Sequence, residues 1–572
     1  MSRASFVQRA EAAAAQLAPK LPPMSILAFC RRRSGLIAVS LSVLLAAVYL
    51  VWQPQTTDLA AQTFRADLWD RAGFVIWNPN WYGGHLVPGY SLLYPPLGAW
   101  LGPALLGAAS AVAAAALFAR LALETLGQRA WLGVIWFGAA STVPLYSGRT
   151  TFALGLALAL AALLAVRRDR PLLAAAGGIA TAAASPVAAL FLALACAAVL
   201  LASRLPLGVP TPRLPTRAAA GAMLGAAVPI AALALAFPSG GFHPFGFSAF
   251  IWIPLVAAFV AVLAAPRHPV LVWGALLYAG LGLAAVLFDT ALGGNATRLG
   301  ATFGGPLLAI LLVGRRPVLL ALVALPLLYW QWEVTVKDVV RAERDPAVHA
   351  AYFEPLLEQL EGRRRHAASP LVHVSPTRSR WEAVYVAERV PISRGWLRQA
   401  ESDDFPLFRD GPLEPRAYVR WLRDRGVGYV AISDADPDYL AELELELERS
   451  GEFPLSLVWE DVDWRLYEVA APSSPRLDAL EVRPDGFTVR FEGTRVSVPL
   501  RYTPYFEVVE GSACVEPDPA SDARTLLTRA PGSGESVTVQ ARLSLAGVAG
   551  RDRYCGGPDA TGAVGEGAQA DG

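Results

Sequence analysis

Long apolar runs are the feature that most constrains how this chain can fold. A helix that crosses the hydrocarbon core of a bilayer needs about 20 predominantly apolar residues. The first such run, residues 35–52, directly follows Arg31-Arg32-Arg33, and no small-residue cleavage site of a signal peptide follows it. We therefore predict an uncleaved first transmembrane helix behind a cytoplasmic N-terminal segment, residues 1–34.

Further apolar runs continue through the first 332 residues. They cover residues 97–121, 130–146, 151–166, 171–184, 187–201, 218–237, 250–265, 270–288, 300–313 and 318–330. Only 17% of the chain is charged, against about 25% in a soluble domain. We predict a polytopic α-helical membrane domain over residues 35–332, with about eleven transmembrane helices.

The distribution of arginine predicts how these helices are oriented, because cytoplasmic loops hold an excess of Lys and Arg. If the N-terminus is placed inside and the helices alternate, most basic residues between the spans fall inside, and Arg65, Arg71, Arg149 and Arg298 are left outside. The residues inside are Arg120, Arg129, Arg167, Arg168, Arg170, Arg204, Arg213, Arg217, Arg267, Arg315 and Arg316. An odd number of crossings then places the C-terminal third outside, in an N-in/C-out topology.

The chain becomes charged from Glu333 onward. We predict an extracytoplasmic α/β domain over residues 333–470, because β-like runs at 370–375, 381–386, 427–433 and 455–469 accompany a helical stretch at 439–449. Alternating apolar residues predict a β-sandwich over 471–556, and the Gly/Ala-rich tail 557–572 is expected to be disordered. Cys514 and Cys555 lie in this external region, where disulfides persist, and form either a disulfide or two free thiols.

The first external loop, residues 53–96, is too long and too aromatic for a simple connection. We expect it to be ordered and to begin with a helix on which Asp58, Gln62 and Arg65 share one face. A single carboxylate beside an amide and an arginine suits a lone general base. The alternative is that Asp58 caps the helix and interacts favourably with its dipole.

An aromatic segment, Trp77-Asn-Pro-Asn-Trp81-Tyr-Gly-Gly-His85, follows this helix, and Tyr94 begins Tyr-Pro-Pro-Leu before the second span. Clustered Trp and Tyr form either a belt at the membrane interface or a platform on which a sugar stacks. For His85 the sequence favours a structural hydrogen-bonding group over a proton carrier.

Two arginines, Arg149 and Arg298, lie in short external turns against the general charge bias. An arginine at a membrane surface is a candidate for holding phosphate; the alternative is snorkelling or a salt bridge, for example with Asp289. No metal-binding or cofactor-binding motif is recognised, and a net charge of +1 argues against a nucleic-acid partner.

Several short motifs carry a resemblance to a known superfamily. They are Asp58-Leu-Ala-Ala-Gln62, Trp77-Asn-Pro-Asn-Trp-Tyr-Gly-Gly, Tyr94-Pro-Pro-Leu97, Ser147-Gly-Arg149, Asn295-Ala-Thr-Arg298 and Trp421-Leu-Arg-Asp-Arg-Gly-Val-Gly-Tyr-Val430. Together with the order of spans and domains, they resemble the GT-C superfamily of membrane glycosyltransferases, and within it the bacterial YfhO-like membrane proteins.

The resemblance implies transfer of a sugar from a polyprenyl-phosphate-linked donor to a glycan, lipid or protein acceptor of the cell envelope. Asp58 would be the catalytic base, and Arg149 and Arg298 would stabilise the departing phosphate. The other residues expected to contact substrate are Gln62, Arg65, Trp81, His85 and Tyr94.

Two other functions stay open. A transporter or lipid flippase usually carries polar or broken helices at mid-membrane, whereas the polar groups here gather at the outer surface. A non-catalytic envelope scaffold would tolerate the substitution Asp58→Asn, which an enzyme of this kind would not.

Overall fold

The computed structural model describes residues 26–209, 213–238, 241–265, 267–364, 371–395, 405–409, 411–470, 477–529 and 534–549. Within them, a bundle of apolar helices is followed by a C-terminal region of mixed α/β structure and antiparallel sheets. The helices of the first part are α1 (Ile26–Arg32), α2 (Ser34–Trp52), α3 (Thr57–Ala72), α4 (Tyr94–Leu101), α5 (Pro103–Leu126), α6 (Trp131–Ala140), α7 (Val143–Tyr146), α8 (Thr150–Arg167), α9 (Pro171–Ala184), α10 (Pro186–Arg204), α11 (Thr216–Ala236), α12 (Phe247–Phe250), α13 (Trp252–Ala264), α14 (Pro269–Leu287), α15 (Thr297–Leu312) and α16 (Pro317–Ala342).

Eight segments of the described chain are long and apolar enough to cross a membrane. They are Ser34–Trp52, Pro103–Tyr146, Thr150–Arg167, Pro186–Arg204, Thr216–Ala236, Phe247–Ala264, Pro269–Leu287 and Pro317–Ala342. The chain is therefore a polytopic helical membrane protein. Pro103–Tyr146 contains α5, α6 and α7, so it covers two of the predicted spans, while α9 and α15 are shorter than a full span. The total of eleven crossings stays a prediction.

The predicted second span began too early. Helix α4 ends at Leu101, and α5 begins at Pro103. Gly102, between them, has a φ of 79°, a left-handed conformation that ends a helix, and proline is favoured at the first position of the next one. The apolar run at 97–121 therefore contains the end of one helix and the start of another.

The arginine-rich junctions lie together at one end of the bundle. Arg120 and Arg168 both pair with Glu124, at 2.9 and 2.7 Å. Burial lowers the pKa of His268, and the positive charges of Arg315, Arg267 and Arg129 lower it further. Residues from three separate junctions are thus close enough to act on one side chain. The sequence predicts this end to be cytoplasmic, and that side stays a prediction.

The described residues of the C-terminal region form three sheets. Its helices are α17 (Ala350–Arg364), α18 (Glu382–Tyr385), α19 (Phe405–Arg409), α20 (Pro415–Asp424), α21 (Glu442–Arg449) and α22 (Leu545–Val548). Its strands are β3 (Leu371–Val374), β4 (Val427–Ser433), β5 (Ser456–Glu460), β6 (Trp464–Glu468), β7 (Leu477–Arg483), β8 (Gly486–Phe491), β9 (Arg495–Val498), β10 (Phe506–Glu510), β11 (Ala513–Pro517), β12 (Thr525–Arg529) and β13 (Ser536–Ala541). Strands β1 (Trp77–Asn78) and β2 (His85–Leu86) form a hairpin in the first loop.

The first C-terminal sheet has the order β3-β4-β6-β5, in which β3 and β4 are parallel and the other pairs antiparallel. The remaining strands form two antiparallel sheets, β10-β13-β8-β7 and β11-β12-β9. Side chains from both, such as Phe487 and Leu527, are buried in one shared core. The alternation of apolar residues in this region thus correctly indicated sheets that bury one face.

Two local predictions for this region were wrong. Residues 381–386, expected to be a strand, contain the helix α18, which packs against α3; tertiary contact outweighs the β-propensity of Trp, Val and Tyr here. The boundary predicted at 332/333 falls inside α16, which continues to Ala342. The rise in charge marks where that helix leaves its apolar part and not where the helix ends.

Cys514 is disulfide-bonded, whereas Cys30 and Cys196 are free thiols. Cys555, its predicted partner, and the predicted disordered tail 557–572 lie outside the described residues. The pairing of Cys514 with Cys555 therefore stays a prediction.

The first loop, residues 53–96, is ordered, as predicted, and it is part of the C-terminal region's core. Phe64 and Trp81 are buried in one hydrophobic cluster with Phe353 and Trp464. Hydrogen bonds fix the same contact: Asn80 Nδ2 donates to the carbonyl of Ala387 at 2.8 Å, and the backbone N–H of Ile392 donates to the carbonyl of Asn80 at 3.0 Å. Neither part can therefore bury its apolar surface without the other.

A pair of carboxyl groups lies across this contact. Asp67 of α3 and Glu388, just after α18, are hydrogen-bonded to each other, and Arg71 lies 3.5 Å from Glu388. Burial raises the pKa of Glu388 to about 7, and burial also raises that of Asp67. The folded state thus holds a proton that the unfolded chain releases near pH 4.5, so the stability from this pair is lost as the pH rises from about 4.5 to 7.

We expect Glu388→Gln to raise the thermal unfolding midpoint at pH 8 by several degrees, because a neutral amide can donate to Asp67 without a proton being taken up. The difference from the native protein should shrink steadily towards pH 5. Unfolding of detergent-purified protein across this pH range measures it. Glu361→Gln is the control, because the Glu361 side chain is 56% exposed and its ion pair with Arg389 is long, at 3.6 Å. An equal effect of both substitutions would contradict the assignment.

Candidate functional site

Helix α3 begins directly after α2 and carries the predicted catalytic residue. Thr56 precedes its first turn in an extended conformation, and its side chain makes no capping hydrogen bond. Asp58 lies within the first turn, where its charge is favourable to the helix dipole. Asp58 is therefore not the N-cap residue, and its side chain bonds elsewhere.

Asp58 forms an ion pair with Arg149. The Nε atom of Arg149 lies 2.5 Å from Oδ2 of Asp58, and both side chains are 29% exposed. Burial, the largest single effect, lowers the pKa of Arg149, but the charge and the hydrogen bond of Asp58, together with Asp338 and Tyr90, outweigh burial and raise that pKa. The salt-bridge interpretation of Arg149 is thus confirmed, with Asp58 as the partner. The pair connects the first loop to the turn between α7 and α8.

Gly148 makes this approach possible. Its φ is 72°, a region that favours glycine. A Cβ atom at this position would lie 2.3 Å from the backbone nitrogen of Leu59, the residue after Asp58. Only a glycine lets the turn before Arg149 press against the first turn of α3.

Arg298, at the start of α15, forms no salt bridge with a carboxylate of the described residues. Its guanidinium lies 5.5 Å from the centre of the Phe152 ring, and no carboxylate of the described chain, Asp289 included, is within salt-bridge distance of it. Burial, followed by the neighbouring positive charge of Arg149, lowers the pKa of Arg298 to about 10. Arg298 therefore remains charged at neutral pH and has charge to offer to an anion.

A cavity of about 1030 Å³ brings these groups together. Six stretches of chain line it: the first loop, the α7/α8 turn, the α9/α10 turn, the segment around α12, the start of α15 and the C-terminal half of α16. Each stretch lies at the opposite end of its helices from the arginine-rich junctions. Of the predicted site residues, Asp58, Gln62, Arg65, Trp81, Arg149 and Arg298 line this cavity.

Gln62 and Arg65 are held in a buried polar network. Nε of Arg65 donates to the hydroxyl of Tyr82 at 2.7 Å, and another guanidinium nitrogen lies 3.3 Å from Oε1 of Gln62. Gln62 Oε1 also accepts a hydrogen bond from Thr151. The ring of Tyr90, 38% exposed, lies 3.6 Å from the Arg65 guanidinium. This network fixes a cation–aromatic surface in the cavity wall.

The aromatic cluster of the first loop is not a membrane belt. Trp77, Trp81, Tyr82 and Tyr94 are at most 1% exposed. Trp81 packs against Tyr82, with ring centres 4.8 Å apart. Trp77, Trp81 and Tyr82 belong to cores that the first loop shares with the C-terminal region, whereas Tyr94 contacts Thr150 of the bundle. Of the predicted aromatic site residues Trp81 and Tyr94, only Trp81 lines the cavity.

Two predicted contact residues, Tyr94 and His85, are not brought to the cavity. Tyr94 is fully buried, and its hydroxyl accepts a hydrogen bond from Thr150 at 2.7 Å. His85 pairs with Asn78 in the β1–β2 hairpin and does not line the cavity. Both residues are close to Trp81 in the sequence, which suggested that they lie near the site. In the structure only Trp81 lines the cavity, and the chain after it directs His85 and Tyr94 elsewhere.

Sequence reasoning missed the wall formed by α16. Gln331, Thr335 and Asp338 recur at helical spacing and line the cavity, together with Glu333. The charges of Arg149 and Asp58 both act on Asp338, so two carboxylates from distant parts of the chain share the cavity. The sequence did contain a signal for this wall, namely the polar residues that follow the last apolar run. The boundary predicted at 332/333 assigned these residues to the α/β domain instead of to the last membrane helix.

No protein-family model matches the chain, and no curated protein matches it in sequence. In the described ranges, no group of three or more His, Cys, Asp or Glu side chains is arranged to hold a metal ion.

We expect Gly148→Ala to lower the unfolding midpoint more than Gly73→Ala does. Both glycines have φ near 70°, but a Cβ at Gly73 meets no atom within 4 Å, whereas at Gly148 it meets the backbone of Leu59. The control therefore carries only the backbone strain, about 1–2 kcal/mol. Equal midpoints for the two variants, measured in detergent, would show that the α3 contact contributes nothing.

Proposed function

We propose that this protein is a membrane glycosyltransferase of the GT-C type. It would move a sugar from a polyprenyl-phosphate-linked donor to a hydroxyl acceptor of the cell envelope, at the outer face of the membrane. The observation that carries this proposal is the cavity in which the Asp58–Arg149 pair and Arg298 lie together, Arg298 forming no salt bridge with any carboxylate that the structure describes.

Charge supports the choice of membrane face. The arginine-rich junctions gather at one end of the bundle, and such clusters mark the cytoplasmic side. The cavity and the C-terminal region lie at the other end, as an N-in/C-out chain with eleven crossings would have them. All the charged groups of the cavity belong to this end, which favours chemistry at a surface over passage through the bundle.

The lining of the cavity suits a lipid-linked anion. Arg149 and Arg298 offer positive charge to a phosphate, while Trp252, Tyr329 and Trp330 supply an apolar wall. Pockets for small molecules usually measure about 300–1000 Å³, so a volume of 1030 Å³ accommodates a sugar phosphate with the first part of its lipid.

In the proposed reaction, the acceptor oxygen attacks the anomeric carbon of the sugar as its hydroxyl proton passes to a carboxylate. The bond between that carbon and the phosphate oxygen breaks, and the electron pair leaves with the phosphate. Arg149 and Arg298 would stabilise this growing charge. Asp58 keeps Arg149 in position, and the resemblance to GT-C enzymes assigns it to the catalytic centre.

We expect Asp58→Asn to reduce transfer of radiolabelled sugar from polyprenyl-phosphate donors by about 10²-fold or more. Cell-envelope membranes supply the acceptor. Asp70→Asn is the matched control, since Asp70 is exposed on the same helix and does not line the cavity. Equal transfer by Asp58→Asn and the native protein would place the site elsewhere, and no transfer by the native protein from any donor would refute the function.

We expect Arg298→Gln to raise the KM for the donor about tenfold or more, because the phosphate loses a charged partner worth about 1.5–3 kcal/mol. The donor KM of Arg298→Lys should lie between those of the native protein and Arg298→Gln. Arg315→Gln, at the other end of the bundle, serves as the control. An unchanged donor KM in Arg298→Gln would exclude Arg298 from phosphate binding.

A further inference from the structure

Asp338 lines the cavity from a different wall than Asp58, and Glu333, the third carboxylate in the described lining, is paired with Lys337. Gln331, Val334, Thr335 and Asp338 recur at helical spacing on α16, and all four line the cavity. Asp338 is therefore the polar end of a continuous cavity-facing stripe. It lies where α16 leaves its apolar part and approaches the C-terminal region.

Asp58 is poorly suited to accept a proton. Its Oδ2 lies 2.5 Å from Nε of Arg149, and a guanidinium this close favours the ionised carboxylate. Protonating Asp58 would also leave the buried part of Arg149 without its counter-charge, which is costly in a partly desolvated site. Asp58 is better suited to holding Arg149 in one position.

Asp338 is held far more loosely. Its ion pair with Arg341 is 3.6 Å long, and the Arg341 side chain is 49% exposed, so the pair contributes little. No N–H or hydroxyl of the described residues donates a hydrogen bond to the Asp338 carboxylate. The other charged groups that act on it are Arg149, Asp58 and Arg378. Its oxygens are thus available to a bound hydroxyl.

The C-terminal region reaches the cavity next to both acids, because the charge of Arg378 acts on Asp338 and its backbone contacts the residue before Asp58. The hydroxyl of Thr57, next to Asp58, donates to the backbone carbonyl of Arg378 at 3.4 Å, and the Arg378 side chain is exposed. An acceptor glycan or lipid bound under the C-terminal region would therefore meet Asp338, while the donor phosphate is held at Arg149 and Arg298.

We propose that Asp338 is the catalytic base that takes the proton of the acceptor hydroxyl, and that Asp58 is a positioning residue for Arg149. This rests on the proposed glycosyltransferase function. The hydroxyl proton passes to the Asp338 carboxylate, the oxygen lone pair forms the bond to the anomeric carbon, and the bond to the phosphate oxygen breaks with its electron pair on the phosphate. Asp338 then returns its proton to water.

Azide separates the two roles, because it attacks the anomeric carbon without having a proton to lose. Full-length native protein, Asp338→Ala and Asp58→Ala are each given labelled donor with either envelope acceptor or sodium azide. We expect Asp338→Ala to lose acceptor transfer by about 10²–10⁴-fold and to form the glycosyl azide within a few-fold of the native rate. Asp58→Ala should lose both reactions, because the phosphate site is disturbed.

Normal acceptor transfer by Asp338→Ala would overturn the assignment, and so would loss of both reactions in a folded Asp338→Ala. A third contradicting result would be an Asp58→Ala protein that loses acceptor transfer but still forms the glycosyl azide. The isosteric Asp338→Asn, with its unfolding midpoint, shows whether loss of the carboxylate leaves the fold intact. Glu354→Ala, on the exposed face of α17, is the control and should keep both reactions. If the native protein transfers to neither acceptor nor azide, the proposed function itself fails, which is a distinct outcome.

Discussion

Hydrocarbon offers no hydrogen-bond partner to the peptide backbone, and this constraint organises the whole molecule. Each apolar segment must satisfy its own N–H and C=O groups and is therefore helical. Ionisable side chains are excluded from the same zone by the cost of desolvation. They gather at the ends of the bundle, with arginine-rich junctions at one end and the cavity at the other. The high cost of placing ionisable side chains in hydrocarbon therefore explains why the charged residues gather at the two ends of the bundle.

The cavity end is not a simple set of loops above a bundle. Helix α3 shares a hydrophobic core with α17 and the first C-terminal sheet, while the Asp58–Arg149 pair ties its first turn to the turn before α8. A single helix thus faces the C-terminal region with its apolar side and the cavity with its polar side. Because the same element supports both, the C-terminal region is part of the scaffold that positions the site.

The sequence predicts this architecture where the physical signal is local. Apolar runs near the bilayer thickness mark the helices, and alternation marks the strands from β7 onward. Arg149 and Arg298, singled out because they contradict the surrounding charge pattern, both line the cavity. Tyr94 and His85, expected there as well, do not line it, and sequence proximity alone cannot show which way a loop turns. The strand expected at 381–386 failed for a related reason, since packing on α3 decides the conformation of that segment.

Asp338 could not be recognised from sequence, because its role depends on contrast with a residue in another part of the chain. A carboxylate at the end of an apolar helix has many explanations, and its relation to Asp58 exists only in the fold. In the cavity the two acids differ in one physical respect: Asp58 is bound closely by a guanidinium, and Asp338 is not. Two carboxylates in one cavity perform different tasks when their environments differ in this way. Under the proposed function, the ion pair that makes Asp58 a weak base would also keep Arg149 in place for a phosphate, and the proton would then pass to another acid of the cavity.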